Sequence, residues 1–309
     1  MSATAVVVAT RNRRQSLLAT LDRLVALPER PEIVVVDNAS EDGTAGAVAR
    51  VHPSVVVIEL ERNVGAAARN VGAARTRAPW IAFADDDSWW APGALQRAAR
   101  HFEHHPSLGL VAARVLVGPE QRLDPTAAEM ATSPLTATEP LPGPPVLGFI
   151  ACGAVVRRSA FLAVGGFEER FGVGGEERLL ALDLAMAGWR SSYAQDVVAH
   201  HHPAEDVRAD RRGVVGRNDL WCAWLRYRPR LAVEHTARAA LRGLVDRDAR
   251  RAFGAALRGL GWALRHRAPV CPRIDAELRV LQRAARGSAE VRQPVAAEAE
   301  TATEAVSKG

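Results

Sequence analysis

Residues 80–90 read WIAFADDDSWW, a short apolar run that passes directly into Asp85, Asp86 and Asp87. An apolar run of this length, bounded by a polar turn, predicts a strand buried within a sheet. The end of such a strand is a costly place to gather negative charge, because carboxylates a few ångströms apart repel and resist ionising together. A cation is therefore expected beside them. A hard divalent ion with oxygen ligands fits best, since such ions keep positions open for water or phosphate oxygens. The plainer alternative is a polar turn capping the next helix, a task that needs one acidic residue rather than three.

Outward from this stretch the chain alternates between two periodicities. Residues 5–10 (AVVVAT), 32–37 (EIVVVD), 55–60 (VVVIEL), 80–84 and 108–117 are rich in β-branched and apolar residues, as strands covered on both faces require. Between them Leu17, Leu18, Leu21, Leu24 and Val25 recur at helical spacing, and Ala-rich helix patterns follow Gly43 and Gly65. This alternation predicts an α/β fold, a doubly wound and mostly parallel sheet with right-handed crossovers. Ligands of such sheets bind beyond the carboxyl ends of the strands. Thr10, Arg11 and Asn12, then Asp37, then the three aspartates all fall on that one edge.

Residues 118–147 carry many prolines and little periodicity, which predicts a long loop able to act as a lid. From Arg208 the pattern is wholly helical, with Leu220, Trp221, Trp224 and Leu225 as an apolar stripe. The expected organisation is a catalytic unit over 1–228, a helical extension over 229–287 and a disordered tail over 288–309.

Among 309 residues the formal net charge is +5, and arginines crowd positions 208–286 while lysine is nearly absent. A basic helical face of this kind is a solvated surface, a membrane contact or, least favoured, a nucleic-acid site. Cys152, Cys222 and Cys271 are far apart and lack metal-type spacing, as expected for buried thiols in a reducing compartment. The chain opens directly into a strand pattern without signal-peptide features, so a cytoplasmic protein is expected.

Four segments in order resemble the family 2 glycosyltransferases, which have the GT-A fold: VVVATRNR (6–13), VVVDNASEDGT (34–44), NVGAAARNVGAARTRAPWIAFADDD (63–87) and GGFEERFGVGGEERLLALDLAMAGW (165–189). HHHPAEDVRADRRGVVGRNDLWCAWL (200–225) is similar to the tail of bacterial members. The resemblance implies a GT-A sheet with a C-terminal helical extension, and a site distributed along those segments. It assigns Thr10, Arg11 and Asn12 to the nucleoside pocket, Asp37 to the nucleobase edge, and Arg69 to a phosphate or to an aspartate of the cluster. An ordinary structural ion pair is the simpler reading of Arg69.

Asp85, Asp86 and Asp87 match the family's DxD element, in which the last aspartate binds Mn²⁺ or Mg²⁺ and the earlier ones contact ribose or the ion's waters. Glu177 aligns with the presumed general base and Glu176 with its neighbour, at a helix start whose dipole should favour their ionised forms. First-turn helix charge is the plain alternative for both. Of His200, His201 and His202, the resemblance favours His202 as a third metal ligand, together with Asp85 and Asp87. Trp89 and Trp90 are expected in the core, with a sugar-stacking platform as the other reading.

The sequence departs from the family at Ala9 and Arg11, where proline and an aromatic are common, and at Leu179 and Asp183, where a supporting Asp and Arg are common. The implied activity is an inverting, divalent-metal-dependent transfer of a sugar from a nucleoside-diphosphate sugar, UDP- or dTDP-linked by preference, to a hydroxyl. A saccharide or lipid-linked acceptor of the cell envelope is implied, with a peripheral contact at the inner face of the membrane and no nucleic acid. The alternatives are a nucleotidyltransferase of related fold, which lacks its expected glycine after the first strand here, and a non-catalytic scaffold or nucleic-acid binder using the Arg-rich helices.

Overall fold

The computed structural model describes residues 3–203 and 211–285. The first half runs β1 (Thr4–Thr10), α1 (Arg14–Val25), β2 (Glu32–Asp37), α2 (Thr44–Val51), β3 (Val56–Glu59), α3 (Ala68–Arg75), β4 (Trp80–Asp85), β5 (Ser88–Trp90), α4 (Ala94–His104) and β6 (Leu108–Val117). Then come β7 (Arg122–Leu123), α5 (Pro125–Ala131), β8 (Ala154–Arg157), α6 (Arg158–Ala163), α7 (Glu176–Met186) and β9 (Arg190–His201). The chain continues through α8 (Arg211–Arg226), α9 (Pro229–Val245) and α10 (Arg247–Arg265) to a last helix at 272–285.

One sheet takes the order β3-β2-β1-β4-β8-β6-β9-β5, with β7 paired to β6. β1 to β4 are mutually parallel, β6 pairs parallel with β9, and β8 and β5 run against their neighbours. The β-branched strands sit where helices cover both faces, so Val6, Val7, Val8, Val34, Val35 and Val36 are fully buried. Leu17, Leu21 and Leu24 form the buried stripe of α1. On the other side α3 lies so close to the sheet that a Cβ on Gly72 would stand 2.4 Å from Val7 Cγ1.

Residues 118–147 differ from the expected open loop. They hold β7 and α5, and α5 carries a start signal visible in the sequence, with Asp124 Oδ1 accepting from the Thr126 and Ala127 amides ahead of Pro125 at N1. The remainder is laced onto β9: the Val146 amide donates to Ser191 O (3.0 Å) and the Gly143 amide to Ser192 Oγ (3.1 Å). Cys152 and Cys222 are buried as expected, whereas Cys271 is exposed.

Two cores result. The larger surrounds the sheet; the smaller joins Phe171, Leu179 and Leu182 to the stripe of α8 and to Trp262 and Ile274. Helix α7 serves both, turning Leu180, Ala181 and Leu184 to the first and Leu179, Leu182 and Ala185 to the second. The indole of Trp221 is seated over Gly259 and donates to Ala256 O at 2.9 Å. The tail expected to be disordered, 288–309, lies outside the described residues.

Candidate active site

The aspartates lie at the carboxyl end of β4, beside the ends of β1 and β2, and each meets a different neighbour. Asp85 is the most open, with 33% of its side chain exposed, and it pairs with the buried guanidinium of Arg69 on α3. Asp86 is held from the β1–α1 side: its carboxylate accepts Thr10 Oγ1 (3.0 Å) and Arg13 Nε (3.3 Å). The Asp86 carbonyl accepts the hydroxyls of Ser16 and Thr20, each at 2.8 Å. Asp87 accepts Arg13 Nη2 at 3.2 Å and lies 3.3 Å from His201 Nε2.

Two arginines thus supply part of the countercharge that the sequence asks for. Crowding persists all the same. Burial, then Asp87 and Asp85, push the Asp86 carboxyl up to about 6.

His201 faces Asp87; His202, the expected metal ligand, does not. Antiparallel pairing sets Ser88 opposite His201 and Trp89 opposite His200, so alternate histidines point to opposite faces. His200 stacks on Trp89 at 5.4 Å and His202 meets the same ring edge-on at 4.7 Å, with its Nε2 buried and without a hydrogen-bond partner among the described residues. Only the His202 amide reaches the cluster, donating to Asp87 O at 2.8 Å. Burial opposes the charged form of His201, but the hydrogen bond and charge of Asp87 outweigh it and raise its pKa.

Oxygen and nitrogen atoms at Asp85, Asp87 and His201 suit Mn²⁺ or Mg²⁺ in their chemistry. Asp85, Cys152 and His201 bring ligand atoms within 4.8 Å of one another. Burial holds the Cys152 thiol protonated, its pKa raised further by Asp85 and Asp87, which makes it a poor ligand for a hard ion.

Around the neighbouring strand ends the turns are knit by side chains. Asp37 is 3% exposed and its Oδ1 accepts the Ser40 amide at 3.0 Å, while Oδ2 has no partner among the described residues. Asn12, at φ +53°, accepts the Glu41 amide at 2.8 Å, and its own amide donates to Ser40 Oγ at 2.9 Å. Arg11 is exposed and Thr10 is buried by its bond to Asp86.

The second acidic pair opens α7 after the glycine loop at 172–175. Glu176 is 2% exposed and folds back to accept the Gly174 amide. Glu177 is partly buried, and its carboxylate accepts its own backbone amide but no side-chain donor among the described residues. Burial raises both carboxyls above their ordinary range, and Glu176 pushes Glu177 further, to about 8. Desolvation and the like charge of Glu176 thus act against the ionised form that a helix N-terminus favours. Arg69 links the halves electrostatically, feeling Asp85 first and then Glu176 and Glu177.

Several positioning residues escaped the sequence reading. Asn218, fully buried on α8, donates to Phe171 O (2.8 Å) and Gly174 O (2.7 Å), and Arg217 donates to Phe171 O (2.9 Å). The loop also touches the start of α3 directly: the Ala66 amide donates to Gly172 O at 2.8 Å, and a Cβ on Gly65 would stand 2.5 Å from Gly172 Cα. Asp183, at a position where the sequence departs from its relatives, finds a partner in Arg226 of α8. Trp90 is core, and Trp89 is sandwiched, with the Arg23 guanidinium 3.6 Å from its ring centre, so neither offers a free stacking face. Gly153 abuts Val115, where a Cβ would stand 2.4 Å from Cγ2.

Residues 5–165 match the family described as Glycosyl transferase family 2. The chain is 26% identical over 239 residues to an N-acetylglucosaminyl-diphospho-decaprenol L-rhamnosyltransferase of Mycobacterium tuberculosis, covering 66% of this chain and 78% of the relative. Among solved structures it is similar to the mannosyltransferase PcManGT from Pyrobaculum calidifontis in complex with GDP-Man and Mn²⁺, with TM-score 0.58, 22% identity and coverage of 96% and 79% of the two chains. It is also similar to S. aureus TarS (1–349) in complex with UDP-GlcNAc, with TM-score 0.58, 18% identity and coverage of 85% and 76%.

Proposed function

Because the chain belongs to glycosyltransferase family 2 and is a glycosyltransferase of GT-A fold, we propose that it is an inverting, divalent-metal-dependent enzyme. In this reading it moves a sugar from a nucleoside-diphosphate sugar to a hydroxyl of a saccharide or lipid-linked acceptor in cell-envelope synthesis. The observation that carries it is the pairing of an arginine-braced carboxylate cluster at Asp85–Asp87 with a partly buried carboxylate, Glu177, that opens α7 beside Glu176 without a side-chain hydrogen-bond donor among the described residues. Support for the substrates comes from relatives whose names specify a nucleotide sugar or a lipid diphosphate sugar. The fit of a UDP- or dTDP-sugar, and a place at the inner face of the membrane, belong to the same proposal.

Asp37 accepts a nucleobase N–H through its free Oδ2, with Thr10, Arg11 and Asn12 around the nucleoside. Asp85, Asp87 and His201 would hold the cation, whose chemistry when bound would be to neutralise the leaving diphosphate. Asp86, spent on Thr10 and Arg13, fixes the β1–α1 turn against the cluster and so sets the donor pocket's wall. Arg69 orients Asp85 and adds positive charge between the phosphates and the acceptor side. Glu177 takes the acceptor hydroxyl's proton as that oxygen attacks the anomeric carbon from the face opposite the diphosphate. Its raised pKa makes it a stronger proton acceptor than an exposed glutamate. Glu176 holds the glycine loop and keeps Glu177 high.

Inversion follows from one displacement by one base. Residues 1–228 form the transferase unit and 229–287 an extension, and the shared position of α7 between two cores supports their working together. The test is nucleoside-diphosphate release from a panel of UDP-, dTDP- and GDP-sugars with Mn²⁺, Mg²⁺ or EDTA. Release from one donor that EDTA abolishes supports the reading; binding of no donor in calorimetry overturns it.

A further inference from the structure

The three most exposed large apolar residues of the described chain, Leu241 (65%), Leu244 (72%) and Val245 (89%), lie within five positions at the end of α9. They are not isolated. Val233, Ala237, Leu241 and Leu244 follow each other at spacings of four, four and three, which aligns them along one face of α9, and all four are exposed. The opposite face carries the packing, through Leu231, Ala232 and Gly243. A helix that buries one side and still presents an apolar stripe outward has no partner for that stripe among the described residues. On α10, Leu257 (50%) and Leu264 (47%) are exposed in the same way.

The charge around these residues has one sign. Residues 229–265 contain eight arginines and three acidic residues, eight minus three giving +5, which equals the formal net charge of the whole chain. The rest of the protein is neutral in sum. Arg242, Arg258 and Arg265 each follow directly on an exposed leucine, and with Arg247 they form no ion pair among the described residues. Arg250 closes the α9–α10 turn by donating to Gly243 O (2.7 Å) and Leu244 O (3.3 Å), which holds Leu244 and Val245 at its tip.

We propose that the α9–α10 turn and the outer stripe of α9 dock on a membrane surface rich in anionic lipid. Leu241, Leu244 and Val245 would enter the headgroup–acyl boundary, and the neighbouring arginines would reach lipid phosphates. Long arginine stems lie along an apolar stripe while their guanidinium groups stay in the polar layer. Nucleic acid would be matched by the arginines but would leave the leucines wet. The inference stands apart from the identity of donor and acceptor.

The test is co-sedimentation of the full chain with phosphatidylcholine vesicles, with and without phosphatidylglycerol, at low and high salt. Binding is expected only with phosphatidylglycerol, weakened by salt. Leu244→Glu with Val245→Glu should lower the partition coefficient at least ~10-fold. Arg242→Gln with Arg247→Gln should lower it with less residual salt dependence. Thermal melting and nucleoside-diphosphate release in solution should be unchanged, since all four side chains are exposed and outside the site. Absent wild-type binding, or equal binding by the glutamate pair, overturns the proposal. So does a dimer in light scattering that these glutamates dissolve while vesicles stay unbound, or a duplex-DNA affinity that they leave intact.

Discussion

The molecule carries two acidic groups with opposite electrostatic solutions. At the end of β4 each aspartate has a cationic or hydroxyl partner: Arg69 for Asp85, Arg13 and Thr10 for Asp86, Arg13 and His201 for Asp87. At the start of α7, Glu176 is spent on a backbone amide, and burial and a like-charged neighbour outweigh what Arg69 and its own amide give Glu177. The first arrangement keeps negative charge in place and suits binding. The second makes one carboxylate a stronger base and suits proton transfer. In the proposed reading the same side-chain chemistry thus serves two functions, divided by what stands next to it.

The sharpest way to break this division is Glu177→Gln. Turnover should fall on the order of 10²–10⁴-fold while donor affinity in calorimetry stays unchanged. Asp87→Asn should do the reverse, reducing metal-dependent donor binding first and turnover through it, by on the order of 10²-fold. The two histidines refine the binding half. His201→Ala should weaken Mn²⁺-dependent donor binding by about 10-fold, whereas His202→Ala should leave it near wild type and lower the melting temperature by opening space beside Trp89.

Asn218→Ala tests whether the base depends on its loop. It removes two buried donors from Phe171 O and Gly174 O, so a loss of about 1–3 kcal/mol in stability is expected, with kcat falling more than donor affinity. Smallest is the pH effect. A base raised to about 8 must lose its proton to work, so the rate should climb through pH 8 and level above it. The stability sign is opposite: a carboxyl whose folded pKa is raised costs stability as pH rises from its unfolded value of 4.5 through 8. Glu177→Gln should thus be more stable than wild type at pH 9, by on the order of 1 kcal/mol, and indistinguishable near pH 4. Thermal melts at both pH values decide it.

What was legible in the sequence followed from short-range patterns. The β-branched runs announced β1 to β4 because a strand covered on both faces needs apolar residues without interruption. The acidic strand end announced the site, because charge at that place demands an explanation. The helix at Pro125 has an equally local signal in Asp124, which the prolines elsewhere in 118–147 mask by favouring a loop. Contacts across large sequence separations were not legible. Nothing local says that Arg13 turns back to Asp86 and Asp87, or that Asn218 braces a loop 44 positions earlier at Gly174. Which of His201 and His202 faces Asp87 depends on strand register, which sets alternate residues on opposite faces.

The backbone contact between Gly65 and Gly172 has a consequence for how such an enzyme can diversify. The spacing between the start of α3 and the glycine loop that carries the proposed base is gauged by main chain against main chain, with Gly65 also at φ +61°. No side chain can be trimmed or enlarged there to retune the gap. In a mutagenesis library, changes in substrate preference are expected from residues that line the gap rather than from the backbone contact that sets its width. Gly65→Ala would act like a wedge, pushing the two halves apart without altering any group that performs chemistry.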